Sequence, residues 1–276
     1  MTLADTLRQR LVGEVRALFN DADKGETPVV RAADPFIPEA SVAWRVHGDV
    51  TTMMVGGVSA LLLQMLHPAV LAGVWDHSNF RTDMIGRLRR TAQFIAATTF
   101  GSTEQAERSI TQVRAIHDRV HGELPDGTRY DANDPALLTW VHAAEVHCFL
   151  AAYRRYRDPG MNATDQDRYL SDYASVAERL GAADVPRSRA DLERYFGVTR
   201  PALRFDHRTR EVAAALTARE GDPLTRQAMA VIFAAGHDLL PGWAQAMHGR
   251  EIRTAAPAIR TGARGMAGVL RWALAG

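Results

Sequence analysis

The hydrophobic and polar positions repeat with a helical period along most of the chain. Met53 to Leu66 is apolar on every side, the pattern of a helix buried all round rather than one lying on a surface. It should end near His67, because a following proline disfavours helical geometry in the residue before it and position 68 is Pro. The next helix is expected to start at Asp83, with Ile85, Leu88, Ala92 and Ile95 at helical spacing and Gly101 as its stop. Ser102 and Gln105 form an S-x-x-Q capping box that opens a third helix. Its apolar row runs Ala106, Ile110, Val113, Val120, and His117 stands where the period calls for another apolar side chain, so His117 is expected to face the core. Gly122 is taken as the end of that helix. Pro125-Asp126-Gly127-Thr128 reads as a turn, possible centre of a short hairpin ending at Tyr130.

Asp134-Pro135 is an N-cap followed by proline at the first helical position, opening a long helix to about Tyr156. Further helices are expected over about 165–180, 189–196, 206–219, 223–239 and 257–273. No run of alternating β-branched and aromatic residues is long enough for a sheet. The chain is therefore read as one all-α domain: an N-terminal arm over 1–43 packed on the domain and irregular over 22–43, a helical body over 44–250, and a C-terminal helix of the same domain in 251–276.

Composition narrows the function classes. With 33 basic and 32 acidic residues the net charge is +1, and no block of like charge offers a footprint for nucleic acid or an anionic membrane. A single cysteine, Cys148, excludes an internal disulfide and any cysteine-based metal cage. The first ten residues do not read as a signal peptide, and the most apolar run is shorter than a spanning helix, so a cytoplasmic location is expected.

Histidine, present ten times, is the residue type to examine. A histidine on an apolar helix face is ordinarily a core residue bonded to backbone, and His67, His142 and His147 fit that description. His117 interrupts an otherwise continuous apolar stripe and is the candidate ligand. His121, one turn on, suits a helix C-terminus. The pair could also hold zinc at i and i+4, but no glutamate follows the first histidine as in H-E-x-x-H. Glu145-Val146-His147 has the wrong spacing for a ferritin-like di-iron step, and no G-x-S-x-G elbow is present. On the preceding helix Arg87, Thr91, Phe94 and Thr98 share one face, read either as a solvated edge or as the polar wall of a pocket.

In order along the chain stand Trp44-Arg45-Val46-His47-Gly48-Asp49, Leu61-Leu62-Leu63-Gln64-Met65-Leu66-His67-Pro68, Asp76-His77-Ser78 and Arg87-Leu88-Arg89-Arg90-Thr91. They continue with Phe100-Gly101, His117-Asp118-Arg119-Val120-His121-Gly122, Tyr130-Asp131-Ala132, Leu138-Thr139-Trp140-Val141-His142 and Leu239-Leu240-Pro241-Gly242-Trp243-Ala244. This series, over about 44–250, resembles the family of the MpaB oxygenase and the latex clearing proteins, which are rubber oxygenases with haem b. The resemblance implies a partly globin-like, all-α haem-binding core. It also implies an iron ligand at His117 and a distal pair at Arg87 and Thr91. Arg90 stands where latex clearing proteins can carry a ligating lysine, and a guanidinium cannot ligate; the sixth position is then water, open or another group, with His67 and His77 the candidates for a second ligand. Arg45, Arg90 and His121 are the remaining candidates for contacts to the haem, chiefly its propionates.

The function expected is a haem-dependent oxidoreductase acting with dioxygen or peroxide on an apolar, small-molecule substrate. Lack of an export signal argues against rubber itself. A non-catalytic haem protein (sensor, carrier or peroxide scavenger) and a haem-free helical module stay open as alternatives, as does assembly into a homo-oligomer.

Overall fold

In the computed structural model of the chain, residues 27–217, 223–249 and 255–275 are described, with Asp5, Thr6, Arg8, Gln9, Arg10, Val12, Gly13, Ala17 and Asn20. The helices are α1 (Val42–His47), α2 (Val50–Gln64), α3 (Pro68–His77), α4 (Met84–Phe100) and α5 (Thr103–His117). After a hairpin of β1 (His121–Glu123) and β2 (Arg129–Asp131) come α6 (Pro135–Tyr156), α7 (Ala163–Leu180), α8 (Arg189–Thr199), α9 (His207–Leu216), α10 (Pro223–Leu239), α11 (Gly242–Met247) and α12 (Ala256–Leu274). The protein is all-α, with that hairpin as its sheet among the described residues.

The uniformly apolar α2 lies at the centre, packed along α6 and crossed by α10, which is why it has no polar face. Close approach of α2 and α6 depends on Gly56. A Cβ there would stand 2.6 Å from the Phe149 ring and 3.1 Å from the Phe149 Cα, so both side chain and backbone would have to move. Gly56→Ala is expected to lower stability by about 1–3 kcal/mol, the usual penalty for overpacking a core, measured by urea unfolding.

The punctuation read from sequence places the long helices. Asp83 accepts from the Gly86 amide and starts α4, Ser102 accepts from Gln105 and starts α5, and Asp134 accepts from Ala136 with Pro135 as the first helical residue of α6. Three short helices are absent from the sequence reading. Ser41 caps α1, inside the stretch taken as irregular. Pro68 ends one helix but also occupies the first position of α3, after His67 in an extended conformation. Pro241 similarly precedes α11. The arm before α1 is irregular as expected over residues 27–41. It is strapped down by Trp44 Nε1 donating to the Ile37 carbonyl (2.8 Å), by Thr103 N donating to Asp34, and by Arg31 lying over the Trp44 and Phe100 rings.

The end of α5 differs from its expectation. The helix stops at His117, not Gly122, and Gly122 lies in β1 opposite Tyr130, where a Cβ would meet the Tyr130 hydroxyl at 2.8 Å. Of the apolar row only Ala106 and Ile110 are buried; Val113 and His117 are half-buried and Ile116 is exposed. The C-terminal half of α5 leaves the core because the chain turns into the hairpin, which packs on α3.

The C-terminal helix is tied to the body by charge. Arg271 of α12 bonds the Asp49 carboxylate (2.6 Å) and the Tyr156 carbonyl (3.0 Å). Asp238 of α10, almost wholly buried, holds Arg155 of α6 at 3.0 Å and Arg260 of α12 at 2.7 Å. Among the described residues no single helix is long and apolar enough to cross a membrane; α2 and α3 together have the length but are bent by 105°.

Candidate functional site

A cavity of about 380 Å³ opens beside the middle of α2, a size common for small-molecule sites. Its walls come from α2, α4, α6 and α10, and the irregular arm covers one side with Pro28, Val29 and Arg31. Most of the lining is apolar: Met53, Met54 and Leu61 of α2, Leu88 of α4, Phe149 of α6 and Ile232 of α10. Against this surface stand a few polar groups, chiefly Arg87 and Thr91 on α4, Gln64 on α2 and Glu145 on α6.

Arg87 and Thr91 are one helical turn apart, so both reach the same wall, Arg87 half-buried and Thr91 at its exposed rim. Farther along the face, Phe94 is half-buried and Thr98 fully buried, its hydroxyl 3.0 Å from that of Tyr173. The Arg87 guanidinium is desolvated and lies near Arg90, which together pull its pKa down to about 10; it stays cationic at neutral pH. Its Nη1 donates to Ser78 Oγ (3.1 Å). Thr91 Oγ1 donates to the Arg87 carbonyl (3.2 Å), so its hydrogen is used within the helix and its lone pairs are what it offers the cavity.

His117 does not line this cavity; it ends the neighbouring antiparallel helix α5. Burial pulls its pKa down against the opposing influence of Asn133, Asp131 and Asp118, which keeps the imidazole neutral. His117 Nδ1 and Asn133 Oδ1 are both buried, and the Asn133 side chain lies within hydrogen-bonding reach of the ring. Asn133 Nδ2 is fixed by Asp118 Oδ1 at 2.7 Å. The segment Asp76-His77-Ser78 connects the two places: Ser78 holds Arg87, His77 Nε2 donates to the His121 carbonyl (3.1 Å), and Asp76 accepts from the Tyr130 hydroxyl (2.7 Å).

The other residues picked from sequence lie apart from the cavity. Arg90 is exposed and paired with Asp83 and Asn79. Arg45 sits on the outer face of α1, bonded to Asp165 of α7 at 2.6 Å. His121 is an exposed β1 residue opposite Asp131. His67 caps α3 beside Trp140, with Nδ1 buried and unpartnered. Cys148 is buried and its thiol pushed up to about 12, which makes it inert as a nucleophile. Among the described residues no three His, Cys, Asp or Glu side chains converge as a metal cage.

Glu145 was passed over in the sequence because only its spacing to His147 was weighed. Burial pushes its pKa up to about 7, and no ion pair or hydrogen bond holds its carboxyl among the described residues. The signal was one acid in the apolar run Trp140–Phe149. His47 also reaches the cavity wall, but both its nitrogens are engaged, Nδ1 with Thr99 (2.8 Å) and Nε2 with Tyr169 (2.9 Å).

No curated protein and no solved structure matches the chain. Residues 44–272 match the family described as ER-bound oxygenase mpaB/B'/rubber oxygenase, catalytic domain. That span runs from within α1 to within α12 and contains Arg87, Thr91, His117 and the helical walls of the cavity, though not the arm residues Pro28, Val29 and Arg31. The chain is a member of the MpaB and rubber oxygenase catalytic-domain family.

Proposed function

We propose that the protein is a haem b-dependent oxygenase, or a related oxidoreductase, acting on a small apolar molecule with dioxygen or a peroxide. Membership of an oxygenase family supports the reaction class. The observation that carries the haem is His117: a neutral imidazole, the form that ligates iron, half-buried at the end of α5 with the Asn133 side chain against its ring. One such ligand suffices for a b-type haem, so the donor set fits. His117 would hold the iron through one ring nitrogen, and the Asn133 side chain against the ring would accept from the other. When bound, the haem supplies activation of dioxygen or peroxide.

The chain's own groups supply the rest. Arg87 presents a cationic donor held in place by Ser78, suited to an acceptor oxygen of the substrate, the co-substrate or a haem propionate. Thr91 contributes an acceptor next to it. Met53, Leu61, Leu88, Phe149 and Ile232 exclude water and accept an apolar body. Arg90 and Arg45, both engaged with acidic partners at the surface, are left out of this proposal.

The test is the absorption spectrum of the purified protein before and after adding haemin, oxidised and dithionite-reduced. The expected result is a Soret band saturating at about one haem per chain and shifting on reduction. No band at any haemin concentration contradicts the proposal.

A further inference from the structure

We infer that Glu145 sets the specificity of the cavity, and that the molecule it selects is an apolar body carrying a hydrogen-bond donor, either an amine or a hydroxyl. The inference names the substrate class for the function proposed above and rests on that cavity being the substrate chamber. It does not rest on iron ligation by His117, which lies outside the lining.

The polar groups of the wall differ in what they leave open. Gln64 Nε2 donates to the Val141 carbonyl, Arg87 donates to Ser78, Thr91 donates to the Arg87 carbonyl, and both His47 nitrogens are engaged. The Glu145 carboxyl has no such partner among the described residues, although it stands in a wall shared with Phe149 one turn farther along α6. A carboxyl left so in an apolar wall is unfavourable until a bound molecule satisfies it. No ion pair joins it to Arg87 among the described residues, so the cavity has two separate poles.

The poles ask for different chemistry. Arg87 is donor-only and serves an acceptor. A carboxyl accepts hydrogen bonds in both protonation states but donates only when neutral, so Glu145 consistently rewards a donor. An amine or a hydroxyl provides one; an ester does not.

The experiment titrates decylamine, decan-1-ol and methyl decanoate into the wild type, Glu145→Gln and Glu145→Leu by calorimetry at pH 8, with and without haem. All three share an apolar chain and differ in the donor. Amine and alcohol should bind the wild type about tenfold or more tighter than the ester, as expected for one hydrogen bond to a charged group. The tighter of the two identifies which donor the site prefers. Glu145→Leu should erase the difference, whereas Glu145→Gln, which keeps a carbonyl acceptor, should retain the preference for the alcohol and lose that for the amine. If the leucine variant does not fold, the glutamine variant alone decides. Equal binding of the three probes, no binding by any of them, or a donor preference that survives at Glu145→Leu overturns the inference. A normal Soret band with no donor preference sinks this inference alone; a donor preference without a Soret band sinks the haem proposal alone.

Discussion

Lowering the pH from about 6.5 to 5 should remove about 3 kcal/mol of stability, a large part of the roughly 5–15 kcal/mol by which a domain is stable. The cause is three imidazoles, His47 and His142 buried and His147 half-buried. Burial, with a smaller contribution from nearby His142, holds His47 at about 3; burial alone holds His142 and His147 at about 4. Each folded-state pKa lies below the ordinary value of 6.5, so below pH 6.5 the unfolded chain takes up protons that the fold refuses. Each group therefore contributes stability that is full above pH 6.5 and is lost as the pH falls toward its folded value.

Glu145 acts in the opposite direction. Its folded pKa of about 7 lies above the ordinary 4.5, so the fold binds this proton more tightly than the unfolded chain does. Its contribution is present below pH 4.5 and is lost as the pH rises through 7. The net difference grows from under one proton at pH 6.5 to about two near pH 5, where the slope is about 3 kcal/mol per pH unit. Urea unfolding across this range should give a stability that levels off above about pH 7 and falls below it. His142→Phe, replacing a ring that stacks on Tyr173 and has an unpartnered Nε2, should reduce the slope by one proton. Stability that is flat from pH 7 to 5 contradicts the burial assigned to these rings.

Asp238→Ala should cost about 3 kcal/mol. The carboxylate is buried and accepts from Arg155 Nη1 (3.0 Å) and from Arg260 through both Nε (2.7 Å) and Nη2 (3.0 Å). Removing one partner of a buried pair usually costs about 3–5 kcal/mol, because the remaining charge is left uncompensated. The lower end applies because the side chains of Arg155 and Arg260 are 30 % and 40 % exposed and can reach water. Asp238→Asn keeps acceptor capacity without the charge and should lose about half as much. A loss below about 1 kcal/mol for the alanine variant would show that the cluster does not hold α6, α10 and α12 together.

Much of the fold is legible in local chemistry. Asp83, Ser102 and Asp134 start their helices by satisfying amides two or three residues on, which needs no tertiary information. The short helices escape because one residue type serves opposite ends: Pro68 is incompatible with the helix before it and favourable in the helix it opens.

The site is legible in part. Arg87 and Thr91 come together by period alone, but that Ser78 holds the guanidinium depends on how α3 meets α4. The inward placement of His117 holds only in part: its Nδ1 is buried, but the ring as a whole is half-buried at the end of α5. A stripe says which residues share a face, not how far that face follows the core, and α5 departs from it as the hairpin docks on α3. Glu145 was visible as an acid amid apolar neighbours, yet only the cavity beside α6 gives it a purpose.

The most direct test of the central claim is haem titration of His117→Gly with and without added imidazole. The account predicts that the variant keeps the wild-type circular dichroism, binds haem at least about tenfold more weakly, and recovers the wild-type Soret position when free imidazole replaces the missing ring. Wild-type haem affinity and an unchanged spectrum in His117→Gly without imidazole would place the iron on another residue.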